Sequence, residues 1–324
     1  LTPWWAQARG HVATLAGFAT QVWQPKPQRR AAVWSCRIDD ARMGSVRLTG
    51  LYHAATAPKA PALVLVHGLG GSAQSPYLRT ATRAALARGW HCLRLHLRGA
   101  DGAGEDFYHA GLVADVQAAL LELRARGARQ LCLLGYSLGG HIALRYAALR
   151  SGPQLRAVAA ICPPLDLAAC ARHLDQPAAL PYRRYLLRSL SAMYRAVWKR
   201  GRALGPTPAE AAAIRYFRDW DGRIVAPRHG FASAEDYWHR ACVRPVLGHI
   251  ETPTVIVSAR HDPLLACAAR APSALPSTAS RFVRHVELEE GGHVALPRLQ
   301  APPTGRCVPV EAWLLRWMAW QCAQ

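Results

Sequence analysis

From residue 61 onward the chain alternates short, unbroken apolar runs with stretches of helical character. PALVLV is followed by a helical stretch over 76–88, HCLRLHL by one over 108–126 and LCLLG by one over 138–150, and RAVAAIC ends the series. A strand with one solvated face alternates apolar and polar positions, whereas a strand covered on both faces is apolar throughout. The pattern predicts an α/β fold, a mostly parallel central sheet flanked by helices. Ahead of it, residues 31–38 and 45–53 read as an antiparallel pair around the turn-like DDARMG.

After Cys162 the rhythm breaks into Pro-punctuated helical material such as PYRRYLLRSLSAMYRAVWKR and SAEDYWHRAC. It resumes with PTVIVSA at 253–259, a short helical stretch, the strand RFVRHVELE and an amphipathic last helix, VEAWLLRWMAW. The expected division is an N-terminal segment, 1–30, packing on the body; a first part of the core, 31–162; an inserted helical cap or lid, 163–250; and a second part of the core, 251–324. No internal repeat or low-complexity linker is visible.

Gly135-Tyr136-Ser137-Leu138-Gly139 follows the apolar strand LCLL and opens the helix LGGHIALRYAAL. A GxSxG string alone is a weak signal, but this strand-to-helix context makes Ser137 a candidate nucleophile on a sharp turn. The glycines remove side chains that would collide with neighbouring backbone, and the helix N-terminus favours developing negative charge. His67-Gly68-Leu69-Gly70-Gly71 follows the strand PALVLV, where a glycine-rich loop can aim an amide at the same place. The backbone amides of Leu69 and Leu138 are the expected oxyanion donors. A phosphate loop is excluded because HGLGGS lacks the GK[ST] ending. His67 is read either as shaping this loop or as a packed histidine.

Serine needs a base and an acid that orients the base, expected downstream in the order Ser, Asp, His. Asp262 in SARHDP follows the strand PTVIVSA and is the preferred acid; Asp166 in CPPLDL also follows a strand and is its rival. His293, in the loop EEGGHVAL after the last strand, is the expected base. His285 lies within that strand and His261 adjoins the acid, so neither has the placement required.

Charge changes this picture little. The formal net charge is +20, but Lys26, Lys59 and Lys199 are the only lysines, and the arginines are scattered rather than gathered. Without a nucleic-acid motif, a solvated basic surface is the reading, with no nucleic-acid partner; peripheral attraction to anionic membrane lipids follows from the same charge. Nine cysteines, without disulfide-framework or zinc spacing, indicate free thiols in a reducing compartment, with Cys132 and Cys162 in core strands. No apolar run reaches the roughly 18 residues a membrane helix needs. Residues 11–23 lack the basic start of a signal peptide, so a cytoplasmic location is expected.

With these residues in place the chain resembles the α/β-hydrolases of the YheT type, a family that includes yeast medium-chain ethyl-ester synthases and esterases and mammalian relatives acting on acylglycerols and phospholipids. The likeness rests on GHVATL, HGLGGS with Ser75-Pro76-Tyr77, Arg98-Gly99, Tyr108-His109-Ala110-Gly111 with Asp115, GYSLGG, GFASAEDYW, ARHDP and GGHV. Ala13 stands where a glutamine is usual and Ala110 where a serine is common. The resemblance implies that Ser137, Asp262 and His293 form a catalytic triad and that the protein cleaves short- to medium-chain carboxylic esters or acylglycerols without a metal or cofactor. An acyltransferase or thioesterase would use the same residues, and a non-catalytic scaffold acting as a binding protein would have no use for all three. Tyr182, Tyr185, Leu186, Tyr194 and Trp198 are candidates for an acyl pocket or for packing the insertion onto the body.

Overall fold

The computed structural model describes residues 4–22, 30–150, 155–200, 205–265, 281–301 and 305–324. Helix α1 (Trp4–Val22) precedes a hairpin of β1 (Ala32–Asp40) and β2 (Gly44–His53). The alternating series is then β3 (Ala62–Val66), α2 (Pro76–Leu86), β4 (His91–Leu95), α3 (Ala114–Ala125), β5 (Leu131–Tyr136), α4 (Leu138–Arg150) and β6 (Leu155–Ile161). Between β6 and β7 (Thr254–Ala259) run the helices α5 (Leu167–Leu174), α6 (Leu180–Trp198), α7 (Pro208–Ala213), α8 (Phe217–Trp220), α9 (Ala226–His229) and α10 (Ala234–Ala241). β8 (Val283–Leu288), a ribbon of β9 (Leu299–Ala301) and β10 (Arg306–Val308), and α11 (Val310–Ala323) complete the chain. The short helical stretch expected before β8 falls largely outside the described residues.

Eight strands form one sheet in the order β1-β2-β4-β3-β5-β6-β7-β8. β2 pairs antiparallel with β1 and β4, and the other pairings are parallel. Strand periodicity divides the core. Val64 and Val66 of β3 pack in one cluster with Leu120, Leu123 and Ile142, while Leu63 and Leu65 pack in the other with Leu78, Leu314 and Met318. Each such side chain, fully buried, contributes about 1.5–3 kcal/mol relative to exposure. The apolar runs thus serve two faces at once, which is why they show no alternation in sequence.

Two expectations need correction. Helix α3 begins at Ala114, not at residue 108, because residues 108–110 hold contacts outside a helix: Tyr108 Oη accepts from the Gly70 amide at 2.8 Å, and the Ala110 amide donates to Tyr237 Oη at 2.9 Å. Cys162 is buried but lies one residue past β6, with φ at +48°. The ribbon β9–β10 had no clear periodic signal, each strand being three residues long.

In the insertion, prolines mark helix starts rather than breaks, as at Pro181 in α6 and Pro208 in α7, where the missing N–H has no partner to lose. Thr207 and Glu210 close a reciprocal cap at α7. A buried ionic cluster anchors the insertion to the body. Arg98 pairs with Asp40 at 2.7 Å, Asp106 at 3.1 Å and Asp115 at 2.8 Å, and Asp106 also takes Arg228 at 2.8 Å. Desolvation offsets much of the attraction in such a cluster, so its contribution is to fix which segments meet.

Candidate active site

The turn between β5 and α4 is strained at one residue. Ser137 has φ at +52°, a region that side chains other than glycine rarely enter, and its amide donates to the Ile161 carbonyl at 2.8 Å. A Cβ at Gly135 would lie 2.1 Å from the Gly139 carbonyl oxygen, and one at Gly139 would lie 2.4 Å from that of Val66. Backbone packing, rather than flexibility, therefore requires both glycines.

His293 and Asp262 come from the loops after β8 and β7, at the same edge of the sheet. His293 Nε2 lies 2.8 Å from Ser137 Oγ, and its Nδ1 lies 2.8 Å from Asp262 Oδ2. An ionised carboxylate only accepts, so Nδ1 carries the proton and Nε2 is left to accept from the serine hydroxyl. The other Asp262 oxygen takes the Leu264 amide at 2.9 Å. Asp166, the rival acid, instead caps α5 by accepting from the Ala169 amide at 2.8 Å and faces Arg244 at 3.4 Å. His285 is occupied with Ser258 Oγ at 2.7 Å.

Helix α1 holds the histidine loop. The His293 amide donates to Thr14 Oγ1 at 2.8 Å, and Thr14 donates to the Gly10 carbonyl at 2.8 Å. A Cβ on Gly292 would come within 2.3 Å of Thr14 Oγ1, and one on Gly10 within 1.7 Å of the His261 carbonyl oxygen. Gly292 lets the histidine loop touch the helix, and Gly10 lets the helix touch the loop that carries Asp262.

The loop after β3 is similarly held. The Gly68 amide donates to Tyr77 Oη at 2.9 Å, while the His67 ring donates from Nδ1 to the Gly68 carbonyl at 2.8 Å and accepts at Nε2 from the Leu97 amide at 3.1 Å. Burial pushes the His67 imidazole down to about 3, so it stays neutral and structural. A Cβ on Gly68 would lie 3.0 Å from the Ser137 Cβ, so this loop passes directly over the serine. Leu69 is the next residue. Leu138 opens α4, where the first amides of a helix have no partner within it.

This arrangement has counterparts in known proteins. The family model described as the alpha/beta hydrolase fold matches residues 61–297. The chain is 35% identical over 250 residues, 74% of its own length and 72% of the other's, to the Escherichia coli (strain K12) protein named "Putative esterase YheT". The chain belongs to the α/β-hydrolase family, in its YheT-like group. It is also 23% identical over 218 residues to a monoacylglycerol lipase of Saccharomyces cerevisiae (strain ATCC 204508 / S288c), covering 63% of this chain and 48% of that one. Its fold resembles the crystal structure of the 2,6-dihydroxy-pseudo-oxynicotine hydrolase, with a TM-score of 0.57, 18% sequence identity, and coverage of 89% of this chain and 67% of the other.

In this α/β-hydrolase, Ser137, Leu138, Gly68, Leu69 and His293 open onto a cavity of about 680 Å³. The helical insertion supplies much of the opposite wall, including Leu174, Tyr182, Leu186, Leu190, Phe217 and Trp220. Of the pocket candidates in the sequence, Tyr182, Tyr185 and Leu186 line the cavity. Tyr194 is instead buried in an aromatic cluster with Phe107 of the body and Trp198 and Trp220 of the insertion, because its face of α6 packs the insertion onto the body.

Cys162, Asp262 and His293 bring potential metal-ligand atoms within 4.8 Å of one another. Burial, and then the Asp262 charge, raise the Cys162 thiol well above its ordinary range, so it remains protonated and is a poor ligand. Thr14, Tyr77 and Tyr108 are site residues whose roles residue-by-residue reading did not assign. The sequence motifs contained all three, but each acts on backbone far from it in the chain. Among the described residues, no helix is long and apolar enough to cross a membrane.

Proposed function

We propose that this α/β-hydrolase is a serine esterase that cleaves carboxylic esters with an apolar, short- to medium-length chain, including acylglycerols, through an acyl-enzyme on Ser137. The observation that carries the proposal is the chain of contacts from Ser137 Oγ through His293 to Asp262, each 2.8 Å long, opening onto a largely apolar cavity of about 680 Å³.

In this mechanism His293 Nε2 takes the Ser137 proton as Oγ attacks the ester carbonyl, and Asp262 keeps the imidazole oriented and stabilises its charge. The Leu69 and Leu138 amides hold the oxyanion; Tyr77 fixes the first through its neighbour Gly68. His293 then protonates the departing alcohol, and water deacylates the serine by the same path. No metal or cofactor enters these steps. Helices α5–α10 act as the cap over the acyl chain, and the segment before β1 as a brace for the histidine loop. The net charge of +20 supports attraction to anionic lipid surfaces, screened within about 10 Å at 0.1 M salt. The eight described cysteines are all unpaired, which supports a reducing, cytoplasmic setting.

The test is a panel of p-nitrophenyl esters and monoacylglycerols of graded chain length, with a fluorophosphonate probe and a Ser137→Ala control. Turnover and labelling that both vanish in the control are expected. Labelling that persists in it would overturn the assignment, and acyl transfer to added alcohols in preference to water would make the protein a transferase.

A further inference from the structure

One group in the cavity wall contradicts its surroundings. Asp221 begins a π-helical turn, Asp221–Val225, between α8 and α9, and its side chain lines the same cavity as Ser137 and His293. Its neighbours there are Phe217, Trp220, Val225, Tyr237 and Trp238. Trp238 Nε1 donates to Oδ2 at 2.7 Å. Among the described residues, that is the only side-chain partner of the carboxyl, and no Arg or Lys pairs with it.

Anchoring the indole needs only one oxygen, which a neutral amide would also provide. A carboxyl leaves a second oxygen facing an apolar space, which costs free energy unless something hydrogen-bonds to it. Burial pushes Asp221 up to about 7; Asp175 adds to the rise, and the Trp238 bond opposes it. The other titratable groups that feel its charge, Cys170 and Tyr237, are themselves raised by burial. Near neutrality the carboxyl can therefore accept or donate a hydrogen bond. π-helical turns of this kind are frequent at functional sites.

We propose that Asp221 recognises a hydroxyl group on the apolar chain of the ester and so selects hydroxylated chains over plain ones. This rests on the esterase reading for the reaction but not for the binding. A hydroxyl matches the site in either protonation state of the acid. An ammonium fits less well, because an apolar cavity strips it of water without replacing that hydration, and the protein's own charge of +20 repels it. The hydroxyl can sit on the acyl chain or on the alcohol, as in a glycerol monoester.

The experiment compares kcat/KM for matched esters with and without a hydroxyl at stepped positions. One arm varies the acyl chain, the second the alcohol, and a third carries an ammonium instead. For at least one position in the first or second arm, the wild type should prefer the hydroxylated ester by about 10- to 100-fold, mainly through KM. Asp221→Leu should remove the preference, whereas Asp221→Asn, which still accepts from Trp238, should keep part of it. Loss of preference in Asp221→Leu with a native-like circular dichroism spectrum and cooperative unfolding separates recognition from a folding defect. Titration of Ser137→Ala with plain and hydroxylated fatty acids and alcohols reads the same preference without turnover. A binding preference there with no turnover by the wild type would sink the esterase reading and keep this one. A ratio below about 3-fold at every position, a preference that survives Asp221→Leu, or better turnover of the ammonium ester would overturn the proposal.

Discussion

The two walls of the cavity are built on opposite principles. Along the sheet edge nearly every polar atom near Ser137 is fixed by another: His293 by Asp262 and Thr14, Gly68 by Tyr77, Gly70 by Tyr108. Backbone approaches there are so close that Gly10, Gly135, Gly139 and Gly292 have no space for a Cβ. The insertion wall is shaped by leucines and aromatic rings, with Asp221 as its exception. Proton transfer requires atoms held to within a fraction of an ångström, whereas an alkyl chain requires only apolar volume. Substitutions along the sheet edge should therefore alter rate, and those in the insertion should alter which ester is preferred.

The largest effect tests the sheet edge at its centre. Ser137→Ala should reduce esterase turnover by about 10⁴- to 10⁶-fold while leaving the thermal transition nearly unchanged, as read by ester hydrolysis and calorimetry. A residual rate close to wild type would mean that the chemistry lies elsewhere. Next, Asp262→Asn should cost roughly 10²- to 10⁴-fold in kcat, and Asp166→Asn, at a helix cap, less than about 3-fold. The reverse ranking would transfer the acid to the strand before.

The insertion is tested by chain length. kcat/KM should rise from acetate into the medium-chain range, by up to about 0.8 kcal/mol per buried CH₂, and then flatten. Leu186→Trp, which fills part of the cavity, should lower the rate on the longest esters by about 10- to 100-fold and leave acetate unaffected. An equal loss on all chains would remove the distinction between the two walls.

Two smaller effects refine it. Thr14→Ala leaves the buried His293 amide without its acceptor, which should cost about 1–3 kcal/mol of stability and reduce kcat more than it changes KM. Asp221 titrates near 7 in the fold against an ordinary 3.8. The fold therefore binds this proton more tightly than the unfolded chain does. Its contribution is fully present below about pH 4 and is lost as pH rises to about 7. Asp221→Asn should thus gain roughly 1–2 kcal/mol over the wild type at pH 8, after allowance for partial solvation, and little at pH 4, as measured by denaturant unfolding at both pH values.

Much of this fold was legible because its signals are local. PALVLV, LCLLG and PTVIVSA are unbroken because both faces of β3, β5 and β7 are covered, and that pattern survives without any knowledge of neighbours. The hairpin turn was equally plain, with Gly44 at positive φ between β1 and β2. The start of α3 was not, because the Tyr108 hydroxyl is held by Gly70 and the Ala110 amide by Tyr237, which lie 38 and 127 residues away in the chain. Whether Tyr194 lines the cavity or packs the insertion was open in the sequence for a similar reason: an aromatic on an amphipathic helix carries no mark of which partner its face will meet.

By itself, then, the sequence determined the α/β class, the strained turn that presents Ser137, and the glycine loop beside it. Each follows from adjacent residues, whose conformations are limited by sterics and by the period of strand and helix. Tertiary structure decided what depends on distant segments coming together. Asp262 rather than Asp166 meets His293, Thr14 reaches the His293 amide across 279 residues of sequence, and Asp221 turns a carboxyl into an apolar cavity. Hydrogen bonds and close packing act over a few ångströms in space and leave no period along the chain, so only the folded arrangement reveals which candidate finds its partner.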